Sequence, residues 1–260
     1  MDLTGKRALV MGVANDRSIA WGIARALRAA GAELAFTHQG EAFGKRVAPL
    51  AESVGSDLLL DVDVTDDASL DAAFARLEEW GGLDIVIHAV AFSDKAELTG
   101  RFVDTSRANF KHSLDISCYS LVEVARRARP LMTEGGTILT LTFDGSQRVM
   151  PFYNVMGVAK AALEAAVRYL AADLGPEGIR VNAISPGPMK TLAGAAIGGA
   201  RKTYRHTEAN APLRANATLE AVGGTAAWLC GPGGACTTGE IVHVDGGFHV
   251  MGMPAADNLG

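Results

Sequence analysis

The chain has 260 residues, 48% of them hydrophobic and 20% charged, with a formal net charge of −5. That is the composition of a globular protein with one large α/β domain or two small ones, and it argues against general nucleic-acid binding, for which no Lys/Arg run provides a local stripe. Three cysteines, Cys118, Cys230 and Cys236, show no metal-like spacing and are an odd number, which points to a reducing compartment without a disulfide framework. No apolar run reaches the ~20 residues of a membrane span, and Met1 to Arg7 leads straight into a strand-like run without a signal-peptide core, so a cytoplasmic location is expected.

Taken in order, Arg7–Gly12 (RALVMG) reads as a first strand, followed by a turn and a helix from Ser18, a capping residue, to the stop at Gly31. Glu33–Thr37 is a second strand and Phe43–Val54 a second helix. Leu58–Val62 and Asp67–Trp80 repeat the pair, and Leu83–His88 is a fourth strand. One helix is expected from about Thr105 to Arg129, then a fifth strand, Gly136–Thr142. An alanine-rich helix carries Tyr153 and Lys160, and Ile179–Ile184 is a sixth strand. Ser185 to about Asn216 is irregular with room for a short helix, Thr218–Leu229 is helical, and Glu240–Val244 is a seventh strand. Strand and helix alternate and several strands are continuously apolar, which predicts a single doubly wound domain: about seven parallel strands with helices on both faces. No linker, repeat or low-complexity segment interrupts it.

Such sheets bind ligands at the carboxyl ends of their strands, near the switch in strand order. After the first strand, Gly12-Val-Ala-Asn-Asp-Arg-Ser18 is not G-x-G-x-x-G. Gly12 can make a tight turn, and the amides before the Ser18 helix can meet a pyrophosphate, although a glycine here also serves as a plain turn. After the second strand Gln39 can bond a ribose hydroxyl or simply be a loop amide. Glu41 would repel a 2′-phosphate, and no base follows before Lys45, which favours NADH over NADPH. Asp63 and Val64 can reach an adenine edge, while Asp63 or Thr65 can equally cap the third helix. His88-Ala-Val-Ala91-Phe92-Ser93 offers small residues for a dinucleotide to cross, with His88 itself read as a packed core histidine. Tyr153 and Lys160 lie seven residues apart, about two helical turns, which predicts both on one helix face with the ammonium lowering the phenol pKa. No metal site is read.

The chain resembles a short-chain dehydrogenase/reductase of the divergent type, and within it the bacterial NADH-dependent enoyl-acyl-carrier-protein reductases. The matching segments are residues 12–24, 31–37, 114–120, 151–188 and 239–248, including Ser18-Ile19-Ala-Trp-Gly-Ile-Ala and the Tyr153-x-x-Met156-x-x-x-Lys160 spacing, where ordinary members carry Y-x-x-x-K. The resemblance implies hydride delivery from NADH to the β-carbon of a trans-2-enoyl thioester, with Tyr153 and a ribose hydroxyl holding the enolate oxygen and Lys160 binding the ribose. It places Gly12, Val13, Ser18, Ile19, Gln39, Asp63, Val64, Ala91, Lys160, Met189 and Thr191 on the cofactor. Phe92, Ser93, Phe143, Tyr153, Met156 and Ala200 fall on the substrate, which is an enoyl-acyl-carrier protein. A substrate-binding loop falls at about 186–216, its mobile part at about 191–205 with Gly194, Gly198 and Gly199, and the assembly is a homotetramer. Phe143 stands where a second tyrosine is usual, Ala91 where a glycine is usual, and Ala200 where a bulky apolar residue is typical. These departures imply altered chain-length preference or inhibitor sensitivity, as in a specialised second copy. A carbonyl or alcohol oxidoreductase is the second reading, although its serine would belong nearer the end of strand five than Ser146. A non-catalytic dinucleotide-binding protein is the third.

Overall fold

The structure, a computed structural model, describes residues 1–192, 194 and 198–259. Seven strands form one parallel sheet: β1 (Arg7–Met11), β2 (Glu33–His38), β3 (Leu58–Asp61), β4 (Ile85–His88), β5 (Gly136–Leu141), β6 (Ile179–Pro186) and β7 (Ile241–Val244). Their order is β3-β2-β1-β4-β5-β6-β7, so the chain reverses its direction of travel between β1 and β4. Register is set along β1, where Ala8 and Val10 pair with Leu34 and Phe36 on one side and with Ile85 and Ile87 on the other.

The sheet is apolar on both faces because both are covered. Along β1, Ala8 and Val10 join the core beneath helices α1 (Ile19–Ala29), α2 (Gly40–Ser53) and α9 (Leu219–Cys230). The alternate residues Leu9 and Met11 join the opposite core, beneath α3 (Asp67–Glu79), α6 (Ser120–Ala128) and α7 (Asn154–Leu174). Each such Leu or Ile contributes about 1.5–3 kcal/mol by leaving water. A short helix, α4 (Lys95–Leu98), and α5 (Arg107–Leu114) follow β4, and α8 spans Ala200–Asn210.

Several expectations need correction. The expected helix Thr105–Arg129 is broken: α5 and α6 are separated by one π turn at Asp115–Tyr119. Ser18 occupies the cap position of α1 but its hydroxyl accepts the amides of Ala14 and Asn15 at 3.0 and 3.1 Å, so it folds the preceding turn instead of capping the helix. Neither Asp63 nor Thr65 caps α3. Asp66 does, accepting the Ala68 amide at 3.0 Å. The short helix for which the stretch from Ser185 to about Asn216 left room is α8, and the parts of the expected mobile loop at residues 193 and 195–197 lie outside the described residues. Gly194 is described, and Gly198 and Gly199 pack against the ring of Phe152.

Candidate active site

The chain's direction change between β1 and β4 opens a crevice at the carboxyl ends of the strands. A cavity of about 1160 Å³ fills it, bounded by the segments that leave β1 to β6. All seventeen residues assigned to cofactor or substrate line this one cavity. Gly12, Val13, Ser18 and Ile19 come from the β1–α1 turn, Gln39 from the end of β2, and Asp63 and Val64 from the end of β3. Ala91, Phe92 and Ser93 follow β4, Phe143 follows β5, and Tyr153, Met156 and Lys160 come from the start of α7. Met189 and Thr191 follow β6, and Ala200 opens α8.

The β1–α1 corner depends on Gly12. Its φ is +92°, and a Cβ there would lie 2.1 Å from the Ala89 carbonyl oxygen, so β1 and the segment after β4 approach as closely as backbone allows. Ser18 already holds the amides of Ala14 and Asn15, so these are not donors for a ligand, contrary to the expectation. Ile19 and Ala20, whose amides the first helical turn leaves without intrahelical acceptors, both line the cavity and suit an anionic group. At the β2–β3 end, the Gln39 amide donates to Asp63 at 3.0 Å, fixing both. Asp63 also accepts the Thr65 hydroxyl and amide, which hold its carboxyl below the usual range, with Gln39 adding to the effect. Glu41 is not on the wall and pairs with Lys45 at 2.6 Å, so Asp63 supplies the negative charge there and the expected repulsion by Glu41 is not needed. The Gly12 turn, the amide donors of Ile19 and Ala20 and the fixed Gln39–Asp63 pair, all on one cavity wall, fit a dinucleotide.

On the same wall, Lys160 sits in the second turn of α7 and Tyr153 stands at the cap position that starts the helix, and both side chains line the cavity. The backbone on either side of Tyr153 is strained: Phe152 and Asn154 have φ of +62° and +37°. Asn154 is held there by its side-chain amide, which donates to the carbonyls of Glu97 and Gly100 at 3.0 Å each. Tyr153 is thereby turned inward, buried with Leu98 and Met156, and the ring of Phe143 meets it edge-on at 5.1 Å.

The titration behaviour corrects a second expectation. Burial pushes the Tyr153 phenol above its ordinary range, and the Glu164 carboxylate adds to this, so the phenol is a proton-bearing donor and no phenolate stabilised by Lys160. Burial also pulls the Lys160 ammonium down to about 8, opposed by Cys118 and Glu164. Its Nζ donates to the Leu141 carbonyl at 2.8 Å.

His88 is a core residue, as expected. It is fully buried between the hydroxyls of Thr140 (3.1 Å) and Ser120 (2.8 Å), and burial pulls it down to about 3. Ser146 donates to buried Glu164, as does Thr142 at 2.6 Å, and Ser146 is not on the cavity wall. The serine that a carbonyl reductase would need beside Tyr153 is therefore turned to another partner.

Sequence reasoning missed Ser117, Ile116 and His112. The π turn swings Ser117 to the Phe92 segment, where its hydroxyl bonds both the amide and the carbonyl of Phe92 at 3.0 Å. Ile116 lines the cavity, as does His112, whose ring meets Phe92 edge-on at 5.2 Å. A regular helix was the natural reading of this stretch, and nothing in its periodicity marks the inserted turn. Glu164 was also missed, although an acid on the apolar face of α7, between Leu163 and Val167, is a sequence-level signal.

Among the described residues no helix is long and apolar enough to cross a membrane, and no cluster of His, Cys, Asp and Glu can hold a metal ion.

Comparison with known proteins agrees with this geometry. The family model described as enoyl-(acyl carrier protein) reductase matches residues 12–249. The chain is 58% identical to the enoyl-acyl-carrier-protein reductase (NADH) 1 of Rhizobium meliloti strain 1021 over 98% of this chain and 94% of that one. The solved reductase of Anaplasma phagocytophilum, in complex with NAD, superimposes with a TM-score of 0.93 at 54% identity, covering 98% of this chain and 96% of that one. The Bacillus cereus enzyme, solved with NADP+ and an indole naphthyridinone, gives 0.95 at 50% identity, covering 97% and 100%. By its sequence, its sheet order and the cavity at its strand switch, the chain belongs to the enoyl-acyl-carrier-protein reductase family.

Proposed function

We propose that this chain is an NADH-dependent enoyl-acyl-carrier-protein reductase that saturates the trans-2 double bond of enoyl thioesters in fatty-acid elongation, with Tyr153 and Lys160 as its catalytic pair. The observation that carries the reading is the cavity itself: Gly12, Ile19, Ala20, Gln39 and Asp63 line it together with apolar residues and a buried, proton-bearing phenol. The nicotinamide cofactor, when bound, supplies the hydride for the β-carbon.

The residues do the rest. Tyr153 is rigidly presented by the strained backbone beside it, and its hydroxyl donates to the thioester carbonyl oxygen, where negative charge grows as the hydride adds at the β-carbon. A donor in place before the reaction costs no reorganisation, and burial among Leu98, Met156 and Phe143 strengthens it by excluding water. The raised phenol favours hydrogen-bond donation over ionisation, so the enolate is held as an oxyanion by the phenol, and its α-carbon then takes a proton from solvent. Lys160, anchored on the Leu141 carbonyl, supplies ammonium protons to the ribose hydroxyls and positive potential to the centre. Ser117 keeps the Phe92 wall at a fixed distance from Met156, and Ile19, Ala20, Gln39 and Asp63 receive the rest of the dinucleotide. Phe143, Phe92, Ser93, Met156 and Ala200 shape the acyl-binding part of the cavity.

Exposed apolar residues support an assembly of copies: Phe110 and Tyr119 on α5 and the π turn, Val158 and Tyr169 on α7, and Val250 and Met253 in the tail after β7. A homotetramer uses the first two groups for one interface and the tail for another. The free thiols of Cys118, Cys230 and Cys236 suit a cytoplasmic protein.

The deciding assay follows NADH oxidation with crotonyl and dodecenoyl thioesters, with NADPH and a simple ketone as controls, and light scattering for subunit number. Oxidation that requires the enoyl thioester is expected. Oxidation driven by the ketone instead would place the enzyme with the carbonyl reductases, and silence with every thioester despite tight NADH binding would remove the catalytic reading.

A further inference from the structure

Behind the catalytic pair lies a buried acid with no part in the chemistry described above. Glu164 follows Lys160 by one turn of α7 and is 5% exposed. One of its oxygens, Oε1, accepts two hydroxyls, Thr142 from the end of β5 and Ser146 from the turn that follows. A carboxylate taken out of water at such cost needs compensation, and two hydroxyls on one oxygen supply only part of it. The remaining compensation is electrostatic. Lys160 is the buried cation on the same helix, and the ammonium makes its hydrogen bond to the Leu141 carbonyl, not to the acid.

We propose that Glu164 is a positioning residue for the reduction: from its hydroxyl cradle it acts as the fixed counter-charge that keeps Lys160 an ammonium directed at the cofactor-binding part of the cavity. The proposal rests on the reading of Lys160 as the ribose-binding residue. The two residues, four positions apart, lie on one face of α7. Thr142 and Ser146 determine the carboxylate's place and so prevent it from closing onto the ammonium. A direct ion pair would occupy the protons that Lys160 must offer to a ligand. An acid held one turn away supplies potential without taking those protons.

The other groups that face this pair are accounted for. Around Lys160 stand His88, which burial keeps neutral, and Cys118, whose thiol burial raises. Around Glu164 stand Tyr153, which stays protonated, and His243 of β7. His243 stacks on His249 at 4.0 Å, and its neighbours are Asp245, which accepts from His249 at 3.0 Å, and Asp144, which Arg148 approaches to 3.9 Å. Burial first, then His249, keeps His243 below its ordinary range, so it carries no charge through the neutral and alkaline window in which Lys160 titrates. Asp144 and Asp245 are carboxyls, and burial raises Asp144. Glu164 is the acid on Lys160's own helix face.

The test measures the NADH dissociation constant by fluorescence, and kcat/KM with a crotonyl thioester, from about pH 6.5 to 9.5. The proteins are the wild type, Glu164→Gln, Glu164→Asp and Lys160→Ala. Wild-type affinity is expected to fall as pH rises through the Lys160 titration. In Glu164→Gln, which keeps the shape and can still accept both hydroxyls, the fall is expected at a pH about one unit lower, as for loss of a unit charge at this range in a partly screened interior. Glu164→Asp, which keeps the charge, restores most of the wild-type curve. A Glu164→Gln curve that lies on the wild-type curve, while Lys160→Ala has lost its pH dependence, overturns the proposal and leaves the role of Lys160 intact. A Lys160→Ala curve identical to the wild type overturns both. A uniform loss of rate and melting temperature, with no displacement along the pH axis, marks Glu164 as a packing residue and also overturns the proposal. If Glu164→Gln does not fold, Thr142→Val, which loosens the cradle, is expected to move the curve in the same direction by a smaller amount, and an unmoved curve refutes it.

Discussion

Substituting Gly12 by alanine should damage both stability and cofactor binding, and its cost separates into two parts. The backbone at Gly12 has φ of +92°, where an L-residue pays about 1–2 kcal/mol. The new Cβ would stand 2.1 Å from the Ala89 oxygen and 2.6 Å from its carbonyl carbon. These are backbone atoms at the exit of β4, so relief requires moving the chain that forms the cavity wall at Ala89 to Ala91. Overpacking of this kind costs a further ~1–3 kcal/mol. The sum, roughly 2–5 kcal/mol, corresponds to a melting temperature lower by about 5–20 °C in a domain of this size. Gly5 supplies the control. Its φ is +77°, yet nothing lies within 4 Å of a Cβ placed there. Gly5→Ala should therefore show the conformational cost alone, about 1–2 kcal/mol, and leave NADH affinity unchanged. Scanning fluorimetry with NADH titration by fluorescence measures both effects. A Gly12→Ala protein no less stable than Gly5→Ala, with wild-type NADH affinity, would refute the close approach of β1 and the post-β4 chain as the basis of the cofactor site at the β1–α1 corner.

Tyr153→Phe should lower turnover by about 10²-fold or more, the usual cost of one oxyanion donor, with NADH affinity nearly unchanged, whereas Lys160→Ala should weaken NADH binding itself. Steady-state kinetics with binding titrations separate the two, and unchanged turnover in Tyr153→Phe would remove the phenol from the mechanism. Phe143→Tyr should remain active in the thioester assay, because the ring meets Tyr153 edge-on at 5.1 Å and its contribution is apolar; complete loss of activity would contradict that. His88 predicts an acid-labile fold. Its folded pKa of about 3 lies below the ordinary 6.5, so the unfolded chain binds a proton that the native state refuses. Stability is therefore complete above about pH 6.5 and is lost as pH falls from there toward 3, with a slope approaching 1.36 kcal/mol per pH unit. Denaturant unfolding of the wild type and His88→Asn between pH 7 and 4 should give a shallower slope in the variant, and equal slopes would place the acid sensitivity elsewhere.

The seven strands and most of the helices are legible in the chain's local pattern, because each element's periodicity is dictated locally. Apolar runs such as Ala8 to Met11 are strands buried on both faces, and the Tyr153, Met156 and Lys160 spacing with the Gly12–Ala24 segment after the first strand carried the family resemblance. What those residues meet depends on contacts between distant parts of the chain. The pairing of β1 with β4 creates the crevice, and no local signal encodes that neighbour. The inserted π turn brings Ser117 to Phe92 because long-range hydrogen bonds outweigh the preference for a regular helix. Ser18 carries a capping residue's chemistry but serves the turn before it, where its hydroxyl accepts two half-buried amides. The acid–base character of the site is likewise non-local. Spacing placed a lysine near a tyrosine and suggested a lowered phenol pKa, whereas desolvation and Glu164 raise it, because charge in a protein interior answers to burial and to every neighbour packed against it.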